Sequence, residues 1–162
     1  MAFFRSLQNS AFTEWFLGSD SIWTYPTVLA LHTVGMAILV GASFVVNLRV
    51  LQVARDIPLR RLGPLYRFVW VGFAINLATG LVLFVTQAAD RIVDPVFFIK
   101  LGSIAAALWL GALVKRRAID PENAPQVTTG QSRSLAATSL GLWAVAIVAG
   151  RLMAYLHSVR AD

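Results

Sequence analysis

Apolar residues along this chain are gathered into four long blocks, roughly 25–48, 68–88, 96–114 and 135–156, separated by short stretches rich in Arg, Asp, Pro and Gly. A hydrocarbon layer about 30 Å thick needs about 20 apolar residues at 1.5 Å rise each. Each block comes close to that length. Lipid offers no water to exposed N–H and C=O groups, so such blocks must be helical. None alternates polar and apolar positions at period two, which fits a β-barrel poorly. The pattern predicts an all-α fold: a four-helix transmembrane bundle forming a single membrane domain over residues 1–162. Ahead of it, residues 3–17 predict one short amphipathic helix lying in the interface. Phe3, Phe4, Leu7, Ala11 and Trp15 fall on one side of it, and Arg5, Ser6, Asn9 and Thr13 on the other. Gly18-Ser19-Asp20-Ser21 ends that helix, and Trp23 and Tyr25 sit where an aromatic belt belongs.

Composition agrees. Of the 162 residues 57% are hydrophobic and only 14% charged, against about a quarter charged in soluble domains. The mean hydropathy is +0.68. The net charge of +6 would suit a nucleic-acid binder, but the cations flank the apolar blocks instead. Arg49, Arg55, Arg60, Arg61 and Arg67 surround the first inter-helix loop, and Lys115, Arg116, Arg117 and Arg133 the third. Lys and Arg near helix ends mark the cytoplasmic side. Loops one and three are therefore expected in the cytoplasm and both termini in a bacterial periplasm, which makes the chain a multi-pass inner-membrane protein. Its start lacks the pattern of a cleavable signal peptide, so the first span is expected to direct insertion. With no cysteine, disulfides, thiol catalysis and thiolate metal sites are excluded. Nothing matches a hydrolytic triad, a phosphate loop or a nucleic-acid reader, and no catalytic residue is assigned.

Candidate chemistry lies where an expensive residue enters the membrane. All 8 carboxylates fall outside the apolar blocks. Inside them, or at their ends, are His32, Lys100, Arg151 and His157. Intramembrane charges cost about 2.5–3.5 kcal/mol on insertion scales and tend to mark sites. His32 lies six residues, or roughly 9 Å, below Pro26. Lys100 lies at a similar depth below Asp94, and Arg151 below His157. Three helices are thus expected to put a basic group at one level near the outer face. Snorkelling of Lys100 toward Asp94 or Asp90 is the plain alternative. Met36 follows His32 by four residues and Met153 precedes His157 by four, so each pair shares a helix face. Imidazole and thioether ligate haem iron and copper(I), although methionine is also ordinary packing. Asn76 and Thr79 are expected to hydrogen-bond across the bundle. Asn47 and Arg49 are expected to close the first helix by capping and lipid contact. Trp70, Trp109 and Trp143 read as packing residues or interface anchors. Small residues four apart, Gly102/Ala106, Ala107/Gly111 and Ala146/Gly150/Ala154, suggest close helix contacts.

Trp23-Thr24-Tyr25-Pro26, His32, Gly35, Gly41 and Asn47-Leu48-Arg49, with Phe98-Ile99-Lys100-Leu101 and Gly150-Arg151 followed by Ala154-Tyr155, resemble an uncharacterised family of small four-helix bacterial inner-membrane proteins. That resemblance covers nearly all of the chain except the linker after the third helix. It implies an acidic residue three before the histidine and an Asp before Leu-Arg; Leu29 and Asn47 stand there instead. More distantly, a His on the first helix with a Lys opening the third resembles the layout of HemJ-type protoporphyrinogen oxidases and CopD-type copper-resistance membrane proteins. Those resemblances imply haem or copper.

Three functions follow. The first is a b-type haem protein in electron transfer or porphyrin-related redox chemistry. His32 would be an axial ligand, Met153 or His157 would stand opposite, and Lys100 and Arg151 would pair the propionates. The second is an accessory or scaffold subunit of a larger membrane complex. The third is a copper-handling protein using His32, Met36, Met153 and His157. Expected partners are the lipid bilayer and either complex subunits or a periplasmic redox partner, with no nucleic acid.

Overall fold

The computed structural model describes residues 2–18, 23–53, 55–120 and 129–161, the side chains of Ala2, Leu17, Ala154 and residues 156–161 excepted. The helices are α1 (Ala2–Gln8), α2 (Ala11–Gly18), α3 (Thr24–Val50), α4 (Leu65–Thr86), α5 (Ala88–Arg91), α6 (Pro95–Val114) and α7 (Gly130–Ala161). A 3₁₀ turn at Leu59–Leu62 precedes α4, and a π-helical turn at Lys115–Ile119 extends α6. Among the described residues there is no strand. Four stretches are long and apolar enough to cross a bilayer: Thr24–Val50, Leu59–Thr86, Pro95–Ile119 and Gly130–Met153. The fold is the expected all-α, four-helix transmembrane arrangement.

Burial is distributed as lipid requires. Large apolar side chains point outward, Trp70, Leu81, Trp109 and Val148 each being more than half exposed, while Asn47, Asn76, Ser103 and Ser139 are buried. In water so much exposed apolar surface would drive association; in a bilayer it is the solvated side. Buried positions recur every three or four residues: Gly35, Leu39, Ala42, Val46 and Val50 on α3; Tyr66, Val69, Gly72 and Asn76 on α4; Ser103, Ala107, Leu110 and Val114 on α6; Ala136, Ser139, Trp143 and Ala146 on α7. That spacing gives each helix one packing seam.

The chain divides into two compact units, residues 1–39 with 69–94, and residues 40–68 with 95–162. In the first, α3 and α4 run antiparallel in close register. A Cβ added to Gly72 would stand 2.5 Å from the Leu39 amide nitrogen and 2.8 Å from the Gly35 carbonyl oxygen, and one added to Gly35 would stand 3.0 Å from the Asn76 nitrogen. Only glycine permits this approach. The amino-terminal segment differs from expectation. Residues 3–17 form two helices, because Ser10 accepts the Thr13 N–H (3.4 Å) and meets its hydroxyl at 3.3 Å, which makes Ser10 the N-cap of α2. The Gln8 side chain accepts the Ala89 N–H at 3.0 Å, docking α1 against α5. Within and just beyond the short α5, Arg91 pairs with Asp94 at 4.0 Å and donates to Gln87.

In the second unit all four long helices feed one buried cluster: Val46 and Val50 of α3, Tyr66 of α4, Val114 of α6 with Ala118 and Ile119 of its π turn, and Ala136 of α7. Asn47 departs from the expected capping role. It is buried and donates to Ser139 Oγ at 3.2 Å, while Ser139 donates to the Ala107 carbonyl at 3.4 Å. A carboxamide buried among apolar side chains needs a polar partner, and the fourth span supplies it. Arg49 does close α3, donating to the carbonyls of Arg55 (2.9 Å) and Ile57. Gln52 adopts the left-handed region (φ 68°), with Val53 N–H bonded to the Leu48 carbonyl and Gln52 N–H to that of Arg49; this is a Schellman termination with glutamine where glycine is usual. The third span outlasts its expected end at 114 because the π turn carries on from it, closed by the Asp120 N–H on the Lys115 carbonyl and by a 3.0 Å Lys115–Asp120 ion pair. Of the expected small-residue contacts, Ala107, Ala146 and Gly150 are in close packing, but Gly102 and Gly111 face open space.

Candidate functional site

His32 stands on the α3 face turned toward α4 and is half-buried. Its Nδ1 lies 2.9 Å from Thr79 Oγ1. The Thr79 hydroxyl also reaches the Ile75 carbonyl at 2.7 Å and the Asn76 carbonyl at 3.3 Å. When its proton goes to one of these carbonyls, Thr79 accepts from His32 Nδ1–H, and the lone pair of the neutral imidazole falls on Nε2. Asn76 donates from Nδ2 to the His32 carbonyl at 2.9 Å, fixing the backbone beneath the ring. Gly80 completes the setting. A Cβ there would meet His32 Cε1 at 3.2 Å, so the imidazole lies against a stretch of α4 that carries no side chain. Asn76 and Thr79 thus bond across helices as expected, and both converge on one residue. The role of Gly80 and the convergence itself were missed. The spacing Asn76-x-x-Thr79-Gly80 on one helix face was the available signal.

Met36 is half-buried one turn further along α3. Four residues on from His32, it shares that residue's helix face. In the second unit Lys100 extends across the backbone of α7: a Cβ on Gly150 would lie 3.6 Å from Lys100 Cε and 3.7 Å from its Nζ. Arg151, the next residue, is exposed. Its neighbours along that face, Ile147, Val148, Leu152 and Tyr155, are exposed as well. Met153 is buried in the α7 seam. The His157 side chain lies outside the described residues. Lys100 and the Gly150-Arg151 turn are therefore brought together in one unit, and His32, Asn76, Thr79 and Gly80 in the other.

Among the described residues no group of three or more His, Cys, Asp or Glu side chains could hold a metal ion. Metal chemistry here would depend on imidazole and thioether donors, or on a porphyrin that brings four nitrogens of its own. Trp143 Nε1 is buried and has no hydrogen-bond partner among the described residues, whereas Trp70 and Trp109 face outward.

Four apolar spans with polar seams and lipid-facing large side chains define the class: this is a multi-pass helical membrane protein. No protein-family model, curated protein or solved structure matches the chain.

Proposed function

We propose that this protein is a b-type haem protein of a bacterial inner membrane, both termini periplasmic, in which His32 Nε2 is an axial ligand and the bound group supplies one-electron redox chemistry. The observation that carries the proposal is the position of the imidazole: Nδ1 lies 2.9 Å from Thr79 Oγ1, whose hydroxyl also lies 2.7 Å from the Ile75 carbonyl, an arrangement in which Nδ1–H donates to Thr79 and Nε2 is the ligating nitrogen. A ligating histidine characteristically donates its second ring N–H in this way, which fixes the tautomer and raises the basicity of the ligating nitrogen. The donor set fits haem iron, for which a neutral imidazole suffices on the protein side. Thr79 orients the ring, Asn76 holds the backbone that carries it, and Gly80 leaves room for its edge. The arginine-rich first and third loops support the orientation.

The test is the absorption spectrum of detergent-purified protein from haem-replete cells, with a pyridine haemochrome assay. A Soret band near stoichiometric haem, lost in His32→Ala and weakened in Thr79→Val, is expected. A parent protein without haem refutes the proposal. Copper retained at His32 and Met36 on elemental analysis, in place of haem, would reassign the same imidazole.

A further inference from the structure

The net charge of the chain is not spread along it. Residues 49–67 and 115–133 hold nine of the 14 cations against three carboxylates, Asp56, Asp120 and Glu122, so the whole +6 resides in these two stretches. The fold gathers their described parts in the second unit. The 3₁₀ turn Leu59–Leu62 touches the π turn Lys115–Ile119, and a Cβ on Gly63 would lie 3.8 Å from Ile119 Cγ2. Leu62, Ala118 and Ile119 share one buried cluster with Tyr66 of α4 and Ala136 of α7. Burying these apolar residues leaves their charged neighbours outside. Arg60 and Arg61 of the first turn, Arg116 and Arg117 of the second, Arg67 of α4 and Arg133 of α7 are all exposed. Among the described residues no carboxylate pairs with any of the six, and Asp120, which closes the π turn, is already paired with Lys115 at 3.0 Å.

Like charges gathered at one end of a unit repel one another, and an anion drawn among them offsets that cost. Arginine favours phosphate, because a planar guanidinium offers two parallel N–H donors to its oxygens. Position selects the source of the phosphate. The six arginines stand at the ends of apolar spans, where lipid headgroups lie. On α6, just before the π turn, Trp109 (66% exposed) and Ala112 face outward. Trp109 is seven residues, or roughly 10 Å, deeper along the helix than Arg116, so an indole beside a small residue lies at acyl-chain depth below the arginines.

We propose that the exposed arginines of the 3₁₀ and π turns form a docking surface for anionic phospholipid in the leaflet at the carboxyl end of α6, the guanidinium groups taking the phosphates and the outward face around Trp109 and Ala112 receiving an acyl chain. Nothing in this surface depends on His32 or on a bound haem.

Native mass spectrometry of the detergent-solubilised full chain tests this with phosphatidylglycerol, with phosphatidylcholine of the same acyl chains, and with inorganic phosphate. The parent is expected to retain phosphatidylglycerol at least tenfold better than phosphatidylcholine and to retain no inorganic phosphate. A juxtamembrane cation contributes about 1 kcal/mol to attraction of anionic lipid, so the double variant Arg116→Gln/Arg117→Gln should lower phosphatidylglycerol retention roughly thirtyfold, and Arg60→Gln/Arg61→Gln similarly. Arg5→Gln, which removes an exposed cation of α1, should change nothing. Equal retention of the two lipids shows a contact indifferent to charge and overturns the proposal. Retention of inorganic phosphate without lipid shows a free-anion site and also overturns it, as does a preference that survives both double variants. Should the double variants fail to fold, the parent decides alone: raising ammonium acetate from about 0.05 to about 0.5 M shortens the screening length and should cut phosphatidylglycerol retention while sparing phosphatidylcholine, and a preference insensitive to salt would refute the arginine surface.

Discussion

Replacing Gly72 with alanine should separate two helices. The added methyl would stand 2.5 Å from the Leu39 nitrogen, 2.8 Å from the Gly35 oxygen and 2.9 Å from the Leu39 Cα, all backbone atoms that no rotamer change can move. Relief to an ordinary contact requires α3 and α4 to part by about 1 Å, given that heavy atoms pack best at roughly 3.5–4.0 Å. The crossing also carries the His32–Thr79 and Asn76–His32 hydrogen bonds, both 2.9 Å, which the same displacement would break. Interhelical hydrogen bonds in membranes contribute about 0.6 kcal/mol each on average, and overpacking costs about 1–3 kcal/mol. The variant should therefore lose about 2–4 kcal/mol. Steric-trap unfolding in bicelles measures this directly, with Gly102→Ala as the matched control because nothing lies within 4 Å of a Cβ there. Equal stability of the two variants would refute the close crossing.

Other perturbations probe the rest of the bundle. Ser139→Ala strands the buried Asn47 carboxamide and should cost about 1–2 kcal/mol, whereas adding Asn47→Leu should recover part of that loss; a double variant as unstable as the sum of the singles would show the two residues to be uncoupled. Gln52→Gly relieves a left-handed non-glycine residue and should raise stability by about 1 kcal/mol, measured by thermal unfolding in detergent. Trp143→Phe removes an indole N–H that has no partner among the described residues but leaves a small cavity at a fully buried position, so it should cost about 1–2 kcal/mol, well below the roughly 3–5 kcal/mol of Trp143→Ala. A larger loss would reveal an acceptor for that N–H.

The four spans were legible because hydropathy over about 20 residues is a strong signal, and their bounds moved by only a few residues where polar ends remained helical, as at Gly130 and Lys115–Ile119. The split of 3–17 turned on one hydroxyl, that of Ser10, whose choice between helix interior and cap is a local competition that periodicity does not register. Contact between helices was less legible. Glycine spacing drew attention to Gly102 and Gly111, where an added Cβ would meet nothing although the Gly111 carbonyl accepts from the Tyr66 hydroxyl at 2.8 Å, while the tightest approach lies at Gly35 and Gly72. Small residues permit approach without requiring it, and which face turns inward depends on the neighbours. For the candidate site the sequence marked His32, Asn76 and Thr79 separately, but their joining depends on the antiparallel register of α3 and α4. Arg151 was expected at one level with His32 and Lys100; its side chain is exposed, and Lys100 lies against the neighbouring Gly150.

Asn47 and Ser139 stand 92 positions apart along the chain. At synthesis rates of about 5–20 residues per second, the first span waits roughly 5–20 s before the hydroxyl that receives its amide has been made. During that interval the nascent protein holds an amide that only water, the insertion machinery or another chain can satisfy. A truncated product lacking the last helix keeps this mark permanently, which gives membrane quality control a feature by which to tell unfinished copies from complete ones.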